Sequence, residues 1–146
     1  ATLAQKQVQL FLERYDLESH IDRMRGVYRE RRDAMLGALD RCFPPGVNYT
    51  RPGGGLFLWV ELPRGLSARE LLGESLKEGV AFVPGGPFFP DGDGEHTFRL
   101  NFSAMPPERI VEGIERLGRV TWQYLRDNRL VDSSPLSRGA AAAEGC

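Results

Sequence analysis

The fold is decided by one strictly alternating stretch, Thr97-Phe98-Arg99-Leu100-Asn101-Phe102-Ser103. Alternation of apolar and polar residues predicts a β-strand with one buried face, because successive side chains of a strand point to opposite sides of the sheet. The three apolar residues of the stretch are therefore predicted to enter a core. Arg99 falls in the middle of the polar face, where the strand would hold it on a rigid element.

Arg99 has two interpretations from position alone. A planar guanidinium group held on a strand is well matched to a carboxylate, since its donors can form two parallel hydrogen bonds to the two oxygens. An arginine on the outer face of a strand is, however, more often an ordinary solvated side chain. The residues around Arg99 leave both interpretations open at this point.

The chain on either side of this strand supplies further elements. Downstream, an amphipathic helix is predicted from about Pro106 to Arg126, and residues 127–146 are predicted to be a disordered tail. Upstream, residues 80–83 are typical of a short buried strand. The loop that follows, residues 84–95, is too apolar in its centre for a solvated linker, and loops of this length in compact domains are often functional.

Farther upstream, two strands are predicted over residues 47–50 and 56–62, with three glycines at positions 53–55 in the turn between them. These glycines precede a strand and do not open a helix, so no helix N-terminus is present to bind an anion, and a phosphate-binding loop is not favoured. A short helix over about residues 68–78 follows, beginning with a capping-box pattern.

The first 43 residues are predicted to form two helices, a short one to about Arg14 and a longer one from Asp16 to about Phe43. The apolar stripe of the longer helix consists of Leu17, Ile21, Met24, Tyr28, Met35, Leu39 and Cys42. Arg31 and Arg32 interrupt this stripe, and such interruptions are mostly solvated or snorkelling side chains. The order of elements predicts an α+β fold, with a small antiparallel-type sheet and helices packed on one side.

Composition limits the classes of function. The chain has 146 residues, of which 41% are hydrophobic and 27% charged, and its net charge is −1. These values are ordinary for one globular domain, and they give no field that would attract nucleic acid. No run approaches the roughly 20 apolar residues that a membrane-spanning helix needs, so no membrane partner and a cytoplasmic location are predicted. The two cysteines and two histidines show no metal-ligand spacing, and no metal site is predicted.

Four blocks in chain order carry a family resemblance. They are the long helix with Arg23-Met24-Arg25 and Tyr28-Arg29-Glu30-Arg31-Arg32-Asp33, then Pro52-Gly53-Gly54-Gly55-Leu56-Phe57-Leu58-Trp59, then Gly79-Val80-Ala81-Phe82-Val83-Pro84-Gly85, and finally Phe98-Arg99-Leu100-Asn101-Phe102-Ser103. Together they resemble the C-terminal domain of class I/II aminotransferases, which are pyridoxal-phosphate enzymes of fold type I. The branch with 2-aminoadipate aminotransferases is the most similar, and the resemblance covers residues 1–126.

The resemblance implies a role for Arg99 and a cofactor. The family arginine at this place binds the α-carboxylate of the amino acid or 2-oxo acid substrate, pyridoxal 5'-phosphate is the cofactor, and the complete enzyme is a homodimer. The family's Schiff-base lysine and cofactor-binding residues lie in a large domain upstream of this match. Lys6 and Lys77 do not resemble that lysine, so no catalytic or cofactor-binding residue is assigned here. The isolated chain is therefore predicted to be inactive.

Two alternatives to an enzyme domain stay open at this stage. The chain could be the aminotransferase-like effector domain of a transcription regulator, in which a winged-helix DNA-binding domain would precede it. The aromatic run Phe57-Leu58-Trp59 favours the enzymes. A non-catalytic α+β module that serves only for interaction is the second alternative, with the glycine-rich loops and Phe88-Phe89 as a surface for a partner.

Overall fold

The computed structural model describes residues 3–53 and 55–130, with side chains from residue 16 onward. Its elements are α1 (Leu3–Cys42), β1 (Asn48–Tyr49), β2 (Phe57–Glu61), α2 (Ala68–Lys77), β3 (Val83–Pro84), a 3-10 turn (Gly86–Phe88), β4 (Thr97–Asn101) and α3 (Pro107–Asp127). The strands form one antiparallel sheet in the order β1-β2-β4-β3. The predicted α+β architecture with a small antiparallel sheet is confirmed.

One face of the sheet carries the core. In β2 and β4 the apolar side chains of one face are buried, as the alternation of the sequence predicts, and on the other face Thr97 is buried as well. The apolar sides of α1 and α3 cover this face, so that helix and sheet residues form a single cluster. That cluster includes Met35, Leu39, Leu58, Val60, Phe98, Leu100, Phe102, Ile114 and Leu117. The predicted burial of the three apolar residues of the Arg99 stretch is therefore confirmed.

The N-terminal prediction of two helices is wrong, because α1 continues without a break from Leu3 to Cys42. Asp16 can cap a helix, but neither proline nor glycine lies nearby to stop the preceding one, and aspartate costs little inside a helix.

In the described ranges, no helix combines the length and the hydropathy that crossing a membrane requires.

The strand predicted over residues 80–83 is shifted toward its C-terminal end, since β3 pairs with β4 only at Val83 and Pro84. The reason is the end of α2. Gly79 has a φ of +78° and the Val80 amide donates to the Ser75 carbonyl, at 3.0 Å, so this segment still belongs to the helix cap.

The C-terminal helix ends one residue beyond the predicted boundary. Helix α3 includes Asp127, and the Leu130 amide donates to the Leu125 carbonyl at 2.9 Å, so the first four residues of the predicted tail form an ordered helix end. The rest of the predicted tail lies outside the described residues. The division into a domain of residues 1–126 and a tail stays a prediction.

Tyr124 of α3 joins the start of α2 to the core. Its hydroxyl accepts a hydrogen bond from the Ser67 amide at 3.1 Å and donates one to Glu70 Oε2 at 2.7 Å. Ser67 is the N-cap of α2, and its hydroxyl accepts from the Glu70 amide at 3.4 Å. Tyr124 thus binds the capping amide that the glutamate of a capping box would otherwise bind. Burial, followed by the bond to Glu70, raises the pKa of Tyr124.

Tyr124→Phe removes both of these bonds and leaves the Ser67 amide without its acceptor. We expect the free energy of unfolding to fall by about 1–3 kcal/mol, the usual cost of an unsatisfied buried donor. Urea denaturation measures it. Tyr28→Phe is the matched control, because Tyr28 packs against the core without a hydroxyl hydrogen bond to any described residue. Equal effects of the two variants would show that the Tyr124 hydroxyl does not stabilise α2.

Helices α1 and α3 are in close contact at Gly118. A Cβ at this position would lie 2.8 Å from the Cys42 Cβ and 2.9 Å from the Cys42 carbonyl oxygen. The same carbonyl accepts a hydrogen bond from the Trp122 indole at 3.0 Å. Gly118 therefore allows the end of α1 to lie directly on α3.

Gly118→Ala would force these backbones apart, and we expect a loss of about 1–3 kcal/mol in the free energy of unfolding. Gly113→Ala on the same helix is the control. Nothing lies within 4 Å of a Cβ at that position, so the variant should gain up to about 1 kcal/mol from helix propensity. Thermal unfolding followed by circular dichroism measures both, and a stabilised Gly118→Ala would contradict the close helix contact.

Candidate functional site

Arg99 lies on the sheet face opposite the helices, in the central strand β4. The register places Trp59 of β2 on one side of it and Val83 of β3 on the other. Arg99 is half-buried. A residue of a central strand has its backbone fixed by ladders on both sides, so the position of its Cα and Cβ is set by the sheet.

Two phenylalanine rings hold the guanidinium group. The Arg99 Cζ lies 4.1 Å from the centroid of the Phe57 ring and 5.2 Å from that of Phe88. We call Arg99, Phe57 and Phe88 the arginine site. These nearest neighbours are aromatic because β2 and the loop after β3 bring their rings to this face. Cation–π contacts of this kind contribute about 0.5–2 kcal/mol each, and they use none of the N–H donors.

The donors of Arg99 are available to a ligand. Its guanidinium group forms neither a hydrogen bond nor an ion pair with any residue in the described part of the chain. It lines a groove with a volume of about 440 Å³ together with Phe57 and Val83, and the same groove extends to the core residues Phe82 and Ile110 and to Arg116 of α3. A positive, planar donor group beside apolar side chains is suited to a small carboxylate with an organic side chain.

The loop after β3 folds back over the same face. The Gly85 amide donates to the Thr97 carbonyl at 2.8 Å, and the Thr97 hydroxyl donates to the Gly94 carbonyl at 2.7 Å. The rings of Phe88 and Phe89 meet Trp59 edge to face, at centroid distances of 5.7 and 6.1 Å. The apolar centre of this loop is thus explained by its contact with the sheet, and the loop brings Phe88 to Arg99.

Gly85 allows the loop to approach the sheet. A Cβ here would lie 2.0 Å from the Thr97 hydroxyl oxygen and 3.0 Å from the Trp59 ring. Gly85→Ala should therefore displace the loop, lower the free energy of unfolding by about 1–3 kcal/mol and change the tryptophan emission.

Gly73→Ala in α2 is the matched control, because a Cβ at that position meets nothing within 4 Å. We expect it to leave the emission spectrum unchanged. An unchanged spectrum in Gly85→Ala would contradict the packing of the loop on Trp59.

Arg31 and Arg32, interpreted from the sequence as solvated or snorkelling side chains, both make backbone contacts across the fold. Arg31 Nη1 donates to the Ser103 carbonyl, and Arg32 Nη1 donates to the Pro52 carbonyl at 3.1 Å. The side chain of Arg32 is only 19% exposed. Neither residue is therefore a fully solvated side chain, and nothing in the local sequence pattern identifies the partners, which lie 72 and 20 residues away.

The shifted pKa values at the β1 edge belong to a surface network. Arg51 and the Tyr49 hydroxyl both donate to Asp40 Oδ1. The hydrogen bond from Arg51, with that from Tyr49, lowers the pKa of Asp40, and Asp40 in turn raises the pKa of Arg51. Burial, followed by the bond to Asp40, raises the pKa of Tyr49 to about 12. These shifts stabilise the charged and neutral forms already present at neutral pH, so they indicate structure and not acid–base catalysis.

The described lysine does not fit a Schiff-base role beside Arg99. Lys77 Nζ bonds to Glu74 at 3.2 Å, and 71% of its side chain is exposed. It lines a different groove, between α2 and α3. Lys6 lies in α1, and its side chain is outside the described part. The described residues therefore offer an arginine whose donors are available to a ligand, but no lysine placed to hold pyridoxal phosphate.

Comparison with known proteins decides the family. The model of the family "Aminotransferase class I and II" matches residues 1–117. The chain belongs to this family. It is 58% identical over 99 residues to 2-aminoadipate transaminase from Thermus thermophilus, covering 68% of this chain and 25% of the relative. It is 43% identical over 110 residues to aromatic-amino-acid aminotransferase 1 from Thermococcus litoralis, covering 75% of this chain and 26% of the relative.

Solved structures give the same result for the fold. The alpha-aminoadipate aminotransferase of Thermus thermophilus, in complex with N-(5'-phosphopyridoxyl)-L-leucine, superposes with a TM-score of 0.75 at 51% identity, over 79% of this chain and 30% of that one. The multiple substrate aminotransferase of Thermococcus profundus superposes with a TM-score of 0.75 at 39% identity, over 80% of this chain and 29% of that one. The chain thus spans about a quarter of the curated relatives it matches. The predicted family and fold type are confirmed, and these relatives give the regulator hypothesis no support.

Proposed function

We propose that residues 1–126 form the C-terminal domain of a pyridoxal-phosphate-dependent aminotransferase, and that Arg99 binds the α-carboxylate of its amino acid and 2-oxo acid substrates. The observation that carries the proposal is the guanidinium group of Arg99, fixed between Phe57 and Phe88 with no described partner for its donors. Family membership supplies the reaction class.

The geometry explains what Arg99 would do in the reaction. The ladders on both sides of β4 fix its Cα, and the two rings restrict rotation of the planar group, so its donors are orientated before the substrate arrives. A bidentate pair with a carboxylate then fixes the α-carbon of the substrate relative to the sheet. Charge and shape are unchanged between an amino acid and the corresponding 2-oxo acid at this carboxylate, so one arginine serves both half-reactions.

The amino-group transfer itself is chemistry that pyridoxal phosphate supplies. The described residues do not fit this group, since Lys77 is paired to Glu74 and lines another groove. We therefore assign cofactor binding to the part of the aminotransferase that corresponds to the other three quarters of the relatives. The 146-residue chain alone is expected to have no transaminase activity. The homodimer, the cytoplasmic location and the absence of nucleic-acid and membrane partners stay predictions.

The test uses the longer protein obtained by extending the reading frame upstream. We expect it to show pyridoxal-phosphate absorbance that shifts when an amino acid is added, with turnover to the 2-oxo acid. Arg99→Ala should keep the cofactor spectrum but weaken binding of amino and 2-oxo acids by about 10- to 100-fold, as expected for lost hydrogen bonds to a charged group. Spectral titration with amino acid measures both quantities.

Arg69→Ala is the matched control, because Arg69 lies on α2, its side chain is 63% exposed, and its one ion pair, with Glu95, spans 4.0 Å. It should leave substrate affinity unchanged. Unchanged affinity in Arg99→Ala would overturn the role of Arg99, and a longer protein that binds no cofactor would overturn the proposed enzyme.

A further inference from the structure

Two consecutive arginines of α1 attach the helix to the two central strands. Arg31 donates to the carbonyl of Ser103, two residues after the end of β4, and Arg32 donates to the carbonyl of Pro52, in the loop that leads into β2. Both acceptors are backbone atoms, so these two bonds hold the path of the main chain. Arg32 also donates to the neighbouring Asp33 carboxylate, through Nε at 3.2 Å and Nη2 at 3.1 Å.

Arg31 is a costly residue for this position. Its Nε is buried and has no hydrogen-bond partner among the described residues, and a buried donor without an acceptor destabilises a fold. The neighbouring positions of the same stripe carry apolar side chains, Tyr28 and Met35. An apolar residue would pack better at this position, so packing does not explain why an arginine is found here.

Both carbonyls lie at one end of the sheet, and this is the end that carries Phe57. Phe57 pairs with Asn101 in the register of β2 and β4. Just beyond this pair, the Phe102 amide donates to the Leu56 carbonyl at 3.2 Å. The Asn101 side chain accepts hydrogen bonds from the Ser103 amide and hydroxyl, at 2.7 and 2.6 Å.

The Phe57 ring is the nearer of the two rings on Arg99, at 4.1 Å. Phe57 is also the first residue of β2, and glycines precede it in the loop, so the strand itself restrains it from one side only. The contact of Arg32 with Pro52 restrains the loop on its other side, while Arg31 restrains the adjoining end of β4.

We propose that Arg31 and Arg32 are positioning residues for substrate binding, which fix the Phe57 end of the β2–β4 pair and thereby the orientation of the Arg99 guanidinium group. The inference rests on the proposed function of Arg99. Neither residue touches the substrate carboxylate in this proposal. Their effect passes through Phe57, the ring that Arg99 rests on.

The experiment compares single and double variants in the longer, cofactor-binding protein. Arg31→Met and Arg32→Met are expected to raise the KM for the amino acid by about tenfold, because small displacements of a binding group are costly, while kcat changes little and the cofactor spectrum is unchanged. Arg31→Lys keeps a charged donor able to reach one carbonyl and should restore the KM to within about threefold of the parent. Arg29→Met, on the exposed surface of α1, is the control and should not change the KM.

A double variant separates positioning from general destabilisation. If Arg31 acts through Arg99, Arg31→Met should have no further effect on KM once Arg99→Ala is present, whereas independent effects would multiply. The inference is overturned if Arg31→Met lowers the melting temperature without changing KM, or if the two effects multiply. Failure of the proposed function is a different result, because Arg99→Ala by itself would then leave substrate affinity unchanged.

Discussion

The antiparallel pairing of β2 with β4 is the constraint on which both faces of the domain depend. Its register puts Leu58 opposite Leu100 and Trp59 opposite Arg99. Because side chains of a strand alternate, a slip by one residue would turn the guanidinium group into the core and Phe98 into solvent. Because the apolar face of the sheet must be buried, Arg99 is fixed on the opposite face. The same strand register therefore determines both the stability of the core and the position of Arg99.

The strand fixes the backbone of Arg99, and the two rings on its guanidinium group also restrict the directions in which its N–H donors point. An arginine side chain loses about 2 kcal/mol of rotamer entropy when it is held in one geometry. Contacts with Phe57 and Phe88 already restrict the side chain in the folded protein, so part of this entropy is lost on folding and not when a ligand binds. These contacts leave the N–H donors unused. Hydrogen bonds to a neighbouring carboxylate would also have orientated the group, but they would have occupied the donors that a substrate needs.

The sequence predicted those features that depend on local pattern. Alternation identified β4 and the outward position of Arg99, and apolar periodicity identified α3 and the covered face of α1 from Met35 to Cys42. The predicted stripe is wrong at its N-terminal end, where Leu17 and Ile21 are exposed because no sheet or helix of the described residues covers them. The sequence could not predict the aromatic neighbours, because Phe57 and Phe88 reach Arg99 only through the strand register and the folded loop. The contact between Arg31 and Ser103 joins residues 72 positions apart. The continuity of α1 was missed because a good capping residue, Asp16, need not act as one when no helix breaker accompanies it.

The sheet face beside Arg99 is open, and that openness limits what the arginine can do within this part of the molecule. Val83 is 42% exposed, Phe88 50% and Phe89 37%. A guanidinium–carboxylate pair in contact with water is weak, and the same pair gains strength when a second surface excludes solvent. The relatives are about four times as long as the matched region, and we propose that the rest of the enzyme supplies such a surface. In the proposed function, Arg99 is one prepared half of a carboxylate site, whose orientation is set here and whose affinity depends on the other half.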